Sequence, residues 1–281
     1  MYSVTARAGL TVAAAGAVLL AAAACSSNST TSATTPATSP TATSTSTSTS
    51  TSTSISATDL NNTFSAMAGL KSVTAAGHGL VAVILPDTVS STRYVEFDAP
   101  YLKQAFTTAG LSSSDLIVQN ALGSDATQLS DAQSDITKGA SVLVVDPLDS
   151  GVGASIESYA KSHGVAVIDY DRLTLGGTRS YYVSFNNVKV GTLLGQGLAS
   201  CITAWGVHNP NVIVMRGAPT DNNATLFADG YTAVMAPFFS SGKWKEVSQP
   251  AGTWDPPTAL SEFEQQYTAH KNINAALIPN D

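Results

Sequence analysis

The chain has 281 residues, with 13 basic and 20 acidic side chains, a formal net charge of −7 and only 12% charged residues. That balance offers no basic footprint for nucleic acid. Of its two cysteines, Cys25 and Cys201, only the second lies in the part expected to fold, so there is no intramolecular disulfide framework and stability must come from a packed core.

The chain opens with Arg7 and an apolar run, Ala8 to Ala24, that ends in small residues and Cys25. This is the build of a bacterial secretory signal, and the run only just reaches the shortest length of a membrane span. Ala22-Ala23-Ala24-Cys25 resembles a lipoprotein cleavage box in which Cys25 becomes the lipidated amino terminus, although Ala22 stands where a leucine is usual. Residues 1–25 are therefore read as a lipoprotein signal peptide, with an ordinary secreted protein or an uncleaved anchor as alternatives. Residues 26–58 are almost wholly Ser, Thr, Ala and Pro, too poor in apolar surface to offset ordering, and read as a disordered tether spanning on the order of 30 Å.

From Leu80 onward, strand-like runs alternate with amphipathic helix patterns. The expected strands are Leu80–Leu85, Asp115–Gln119, Ser141–Val145, Ala166–Tyr170, Tyr181–Phe185, Val212–Met215 and Ile273–Ile278. Most are short continuous apolar runs, as strands covered on both faces should be. Leu129, Ala132 and Ile136 recur at helical spacing, introduced by Asp125 with Gln128 three places on and closed by Gly139. Leu260, Phe263 and Tyr267 repeat the pattern, with Glu262, Glu264, Gln265 and Gln266 expected outward. The alternation implies βαβ units and α/β lobes with parallel sheets flanked by helices.

Polar clusters follow several strands: Asp87 and Arg93-Tyr94 after the first, Asp171-Arg172, Asn186-Asn187, Asp221-Asn222-Asn223, and finally Asn280-Asp281. One such cluster is an ordinary turn. Their recurrence at the carboxyl ends of strands points to a ligand crevice. Within Val212 to Phe227, an apolar strand runs directly into Asp221, Asn222 and Asn223, whose planar groups donate and accept hydrogen bonds and suit a neutral polyhydroxylated ligand. Gly151-Val152-Gly153 superficially suggests a dinucleotide loop. The third glycine position is Ile156, however, and Asp146 and Asp149 would repel a pyrophosphate, so these glycines are read as helix entry and close packing. His78, His163, His208 and His270 are scattered without metal-ligand spacing, and no serine-nucleophile elbow occurs. Neither an enzyme nor a cofactor or metal site is expected; a hydrolase using a carboxylate pair is the weaker alternative.

The segments DTVSSTRY, VAVIDYDRL, YYVSFNNVKVG, GAPTDNNATLF, WDPPTA and IPND, in that order, resemble the xylose-binding protein family, sugar-binding components of ABC transporters among the type I periplasmic binding proteins. The resemblance implies two Rossmann-like lobes closing on a sugar, residues 59–186 forming the first and 187–281 a partial second, with a first crossing near Ser184 to Asn187. It places Arg93 and Tyr94 where the family has an arginine and a stacking aromatic, a tryptophan in some relatives. It places Asp171 and Arg172 on sugar hydroxyls, and Asp221, Asn223, Trp254 and Asn280 on the second-lobe wall. Taken alone, Trp254 could pack a loop, Asp171-Arg172 could pair in a turn and Arg93 could be solvated. The implied partners are a monosaccharide, a permease and, through Cys25, a membrane, for a monomeric extracytoplasmic protein; a sugar sensor acting on a membrane receptor is the alternative. By the family pattern the chain reads as truncated, lacking later second-lobe strands, with exposed sheet edge and weakened binding expected.

Overall fold

The computed structural model describes residues 55–280. The signal peptide, Cys25 and most of the tether lie outside the described residues, as does Asp281. At the start of the described residues, Ala57–Asp59 form a short 3-10 turn in which Asp59 accepts the Ser56 amide at 2.8 Å.

Two parallel sheets organise the chain. The first runs in the order β2-β1-β3-β4-β5, built from β1 (Leu80–Leu85), β2 (Leu116–Asn120), β3 (Ala140–Val145), β4 (Ala166–Tyr170) and β5 (Tyr181–Val183). The second runs β7-β6-β8, from β6 (Asn211–Val214), β7 (Lys245–Ser248) and β8 (Ala275–Leu277). The helices are α1 (Lys71–Ala76), α2 (Ala99–Thr108), α3 (Asp125–Thr137), α4 (Ser150–Ser162), α5 (Asn187–Ala204), α6 (Asn222–Ser240) and α7 (Pro256–Ala269).

β1 and β4 match the expected runs residue for residue, β3 starts one residue earlier, β2 and β6 are each displaced by one residue, and β5 and β8 are shorter. β-branched side chains fit the pleated, doubly covered sheet. In β1, Ala82 and Ile84 pack with Leu143, Val145 and Val167 against Ala132 of α3 and Ile156 and Ala160 of α4. The alternate residues Val83 and Leu85 join Val144 on the other face, against Leu102 and Phe106 of α2. Each fully buried Ile or Leu contributes roughly 1.5–3 kcal/mol of burial. Register is regular between β1 and β2 and between β3 and β4, for example Val83 opposite Val118 and Val144 opposite Ile168, and shifts at Leu80/Val81 against β3 and at Val212/Ile213 against β7.

Three local readings differ. The cap of α3 is Ser124, whose side chain accepts from the Thr127 amide at 3.2 Å, with Asp125 inside the first turn; Gly139 does end the segment, in the left-handed region at φ 101°. β7 carries Lys245 and Glu246 and is exposed at its start, so it lacks the apolar run by which buried strands are recognised. On α7, Leu260 and Tyr267 are exposed while Glu262 and Gln266 are half-buried. That helix makes a polar contact with β7, Ser248 Oγ to Gln266 Oε1 at 2.6 Å. Gly153 serves the packing role expected of it: a Cβ there would lie 2.3 Å from Thr174 Oγ1. β5 and β8 are edge strands, and Tyr181, Val183, Leu193, Trp205 and Ile278 are exposed near them.

Both sheets place their first strand between its two successors. In an open parallel sheet, the carboxyl end of that strand adjoins a crevice where connections leave in opposite directions. The loops after β1 and β3, and those after β6 and β8, meet there.

Candidate functional site

The loop after β1 is shaped by Asp87, which accepts the amides of Val89 and Ser90 at 2.8 and 2.6 Å and the Ser90 hydroxyl at 2.6 Å. The chain then enters a helical turn that presents Arg93 and Tyr94. Arg93 Nε donates to Asp98 Oδ2 at 2.9 Å, and its Nη1 lies 3.2 Å from Asp171 Oδ2. Tyr94 is buried, and both Arg93 and Arg172 lie over its ring, 5.1 and 5.8 Å from the centroid. Its ring is thus engaged by two guanidinium groups in cation–π geometry.

β4 ends at Tyr170, whose hydroxyl donates to Asp98 Oδ1 at 3.1 Å. Asp171 follows in the left-handed region, φ 64°, a conformation that aspartate tolerates better than most residues. Its backbone carbonyl accepts from the Ser184 hydroxyl at 2.7 Å, tying this turn to the crossing segment after β5. Arg172 donates through Nη1 to the carbonyls of Pro147 and Leu148 and through Nη2 to the Tyr94 hydroxyl at 3.0 Å.

From the second sheet, Asp221 caps α6, accepting the Asn223 amide at 2.8 Å through Oδ1. Its Oδ2 accepts from Trp254 Nε1 at 2.9 Å and lies 3.3 Å from Arg172 Nε. Asn223 Nδ2 donates to Asp171 Oδ1 at 3.1 Å, while its buried Oδ1 has no donor among the described residues. Asn280, after β8, donates to the Ser90 carbonyl at 2.9 Å. Arg172–Asp221, Asp171–Asn223 and Ser90–Asn280 therefore bridge the two sheets' loops.

All eight residues singled out from sequence, Arg93, Tyr94, Asp171, Arg172, Asp221, Asn223, Trp254 and Asn280, line one cavity of about 280 Å³. Asn222 of the polar triplet does not line it. Phe185 and Phe227 do, and the sequence reading did not assign them. Phe227 follows Asn223 by one helical turn and so shares its face. Phe185 stacks on it at 6.2 Å, and Trp254 meets it edge-on at 6.4 Å, giving an aromatic cluster that adjoins the charged groups through Trp254 Nε1 and Asp221. Asp146, whose charge sets it against a pyrophosphate, lies buried with Oδ1 3.5 Å from Arg172 Nε.

Burial pushes the carboxyls of Asp146 and Asp171 above their ordinary range, with neighbouring arginines opposing it only in part. Burial likewise raises Glu157 and Asp169, which pack together beneath the 172–180 loop beside Arg179. Each group binds its proton more tightly folded than unfolded. Its contribution to stability is complete below the unfolded values of 3.8 for Asp and 4.5 for Glu, and is lost as pH rises through the raised folded value. The melting temperature is expected to be higher at pH 5.5 than at pH 8; a steady decline on acidification over that interval would contradict this assignment.

Residues 81–281 match the family described as a periplasmic binding protein domain. The D-xylose-binding periplasmic protein of Escherichia coli (strain K12) is 37% identical over 168 residues, 59% of this chain and 49% of that protein. The multiple sugar-binding periplasmic receptor ChvE of Rhizobium radiobacter is 31% identical over 219 residues, 74% of this chain and 60% of that protein. Among solved structures, an ABC transporter solute binding protein from Clostridium phytofermentans with bound β-D-glucose aligns with a TM-score of 0.63 at 25% identity, covering 72% of this chain and 65% of that one. A carbohydrate transporter solute binding protein from Chloroflexus aurantiacus, in complex with D-glucose, gives 0.60 at 26% identity, covering 69% and 62%. The matched stretch spans about half the length of the xylose-binding relatives.

Proposed function

The chain belongs to the periplasmic binding protein domain family, and from that premise we propose that it captures a monosaccharide, D-xylose or a close relative, outside the cytoplasm for an ABC transporter permease. The observation that carries this reading is the convergence of eight polar and aromatic side chains on one cavity of about 280 Å³, with a buried Asn223 Oδ1 that no group among the described residues satisfies. That volume falls near the small end of ligand pockets, which run from about 300 to 1,000 Å³, and suits one sugar ring rather than two. A sugar ring has apolar C–H faces and a polar rim. Phe185, Phe227 and Trp254 offer the faces a surface, while Asp171, Asn223 and Arg93 offer the hydroxyls partners.

Selectivity follows from the same groups, since a hydroxyl missing from the ligand leaves a buried polar atom unpaired. Residues 59–186 and 187–281 act as the two closing walls, bridged by Arg172–Asp221 and Asp171–Asn223, and a hinge closure would give a permease a form to recognise. The apolar run before Cys25 and the Ser/Thr-rich segment after it support a lipid-anchored, tethered presentation.

Two arginines at the cavity face four carboxylates in and directly behind its wall: Asp98, Asp146, Asp171 and Asp221. This surplus disfavours an anionic ligand. Titration of tryptophan fluorescence should show a saturable response to neutral pentoses or hexoses, with the corresponding sugar acids at least about 10-fold weaker. The response should vanish in Trp254→Phe, which leaves Trp205 and Trp244 in place. No saturable change from a folded sample, or equal affinity for sugar acids, would contradict the reading.

A further inference from the structure

We infer that Asp146, one layer behind the cavity, is a positioning residue that holds the Arg172 guanidinium in the orientation from which it serves the ligand. This rests on the sugar-binding reading above. Asp146 is fully buried at the end of β3, its main chain pinned on both sides: its amide donates to the Ile84 carbonyl at 3.1 Å and its carbonyl accepts Gln128 Nε2 at 2.8 Å. Its side chain therefore starts from a fixed backbone position, with Oδ1 3.5 Å from Arg172 Nε and neither oxygen in a hydrogen bond among the described residues.

The five N–H groups of Arg172 can be accounted for. Nη1 points to the carbonyls of Pro147 and Leu148 at 3.4 and 3.3 Å, and Nη2 gives one hydrogen to the Tyr94 hydroxyl. Nε lies between Asp146 and Asp221. One Nη2 hydrogen remains for a ligand. Asp146, Pro147 and Leu148 are consecutive, so a single turn after β3 grips two edges of the guanidinium.

Asp221 belongs to the opposite wall. Without Asp146 it would be the sole acid on Nε, and opening the cleft would draw Arg172 away from the first sheet or leave it without an acid there. The other charges facing this pair are Arg93 and Asp171, which engage each other at 3.2 Å, and the Tyr94 hydroxyl beside them is neutral, burial pushing it above its ordinary range. Burial holds the Asp146 carboxyl above its ordinary range, so ionised it costs stability. A group that costs stability yet aims a binding residue fits function better than packing.

Asp146→Asn, Arg172→Lys and the double variant test this. Asp146→Asn keeps shape without charge, and is expected to melt no lower than the unmodified chain at pH 7 while binding D-xylose about 10-fold more weakly. Arg172→Lys should cost about 100-fold, and adding Asp146→Asn to it less than about 2-fold further, because the second acts through the first. Full multiplication of the two effects, or loss of melting temperature together with affinity in Asp146→Asn, would overturn the assignment. Failure of the unmodified chain to bind any neutral sugar would defeat the proposed function instead. The inference then stands or falls on hydrogen exchange of the Arg172 Nε–H, read by ¹⁵N NMR: acceleration of at least about 10-fold in Asp146→Asn supports it, and equal rates overturn it.

Discussion

Asp171→Ala should lower sugar affinity by at least about 100-fold, equivalent to about 2.7 kcal/mol, while the protein still folds. The carboxylate joins Arg93 on its own wall to Asn223 on the other, at 3.2 and 3.1 Å. Removing it takes from Arg93 one of its two acids, Asp98 remaining, and leaves the buried Asn223 amide only the Asp171 backbone carbonyl at 3.4 Å; truncating one side of a buried charged contact costs about 2–5 kcal/mol in comparable interfaces. Two effects on stability oppose each other. Burial of the carboxylate is relieved, but alanine is less at ease than aspartate at φ 64°. The melting temperature should therefore move little. Asp171→Asn keeps the backbone preference and one acceptor, and should fall between, about 10-fold weaker than the unmodified chain. Calorimetric titration of the three proteins decides it; equal affinities would remove Asp171 from the site.

The second large effect is on the frame that carries the site. Helices α5 and α6 approach so closely that a Cβ on Gly191 would lie 2.1 Å from the Phe227 carbonyl oxygen, and one on Gly230 would lie 2.2 Å from that of Val188. These obstacles are backbone atoms and cannot rotate away. Gly191→Val must push the helices apart, and is expected to cost at least about 3 kcal/mol, the upper part of the range for overpacked cores. For a protein of this size that is a fall of roughly 6–12 °C in melting temperature. Because α6 carries Asp221 at its cap and Asn223 and Phe227 in its first turns, sugar binding should fall with it. Gly197 lies on the same helix with nothing within 4 Å of a built Cβ. Gly197→Ala should be neutral or stabilising by up to about 1 kcal/mol. Similar melting temperatures for the two variants would contradict the packing account.

The parallel sheets were readable because buried strands announce themselves as β-branched runs such as Leu80–Leu85 and Ala140–Val145. β7 was not, because Lys245 and Glu246 give an edge strand no apolar signature. The exposure of Leu260 and Tyr267 was equally hidden, since helical spacing reports a possible face and not whether anything covers it. At the site, the polar clusters after the strands pointed to the loops that meet at the cavity, and the family resemblance selected individual residues among them. Asp146 escaped because an acid followed by Pro147 reads as one more turn, and only the three-dimensional path of Arg172 gives it a partner. Glu157 escaped for a related reason: within α4 it resembles a solvated helix residue, yet it is buried beside Asp169. Phe185 and Phe227 stood inside the segments that carried the resemblance, and the helical spacing of Asn223 and Phe227 was the available signal for one of them.

The central claim is that the cavity between the loops of the two sheets holds one sugar ring, and a crystal structure of the chain grown with D-xylose tests it most directly. The account predicts a single pyranose against Phe185, Phe227 and Trp254, with a hydroxyl within hydrogen-bonding distance of Asn223 Oδ1 and others near Asp171 and Arg93. A cleft containing only solvent at saturating sugar, or a sugar seated instead on the exposed face of α5 and β8, would contradict it.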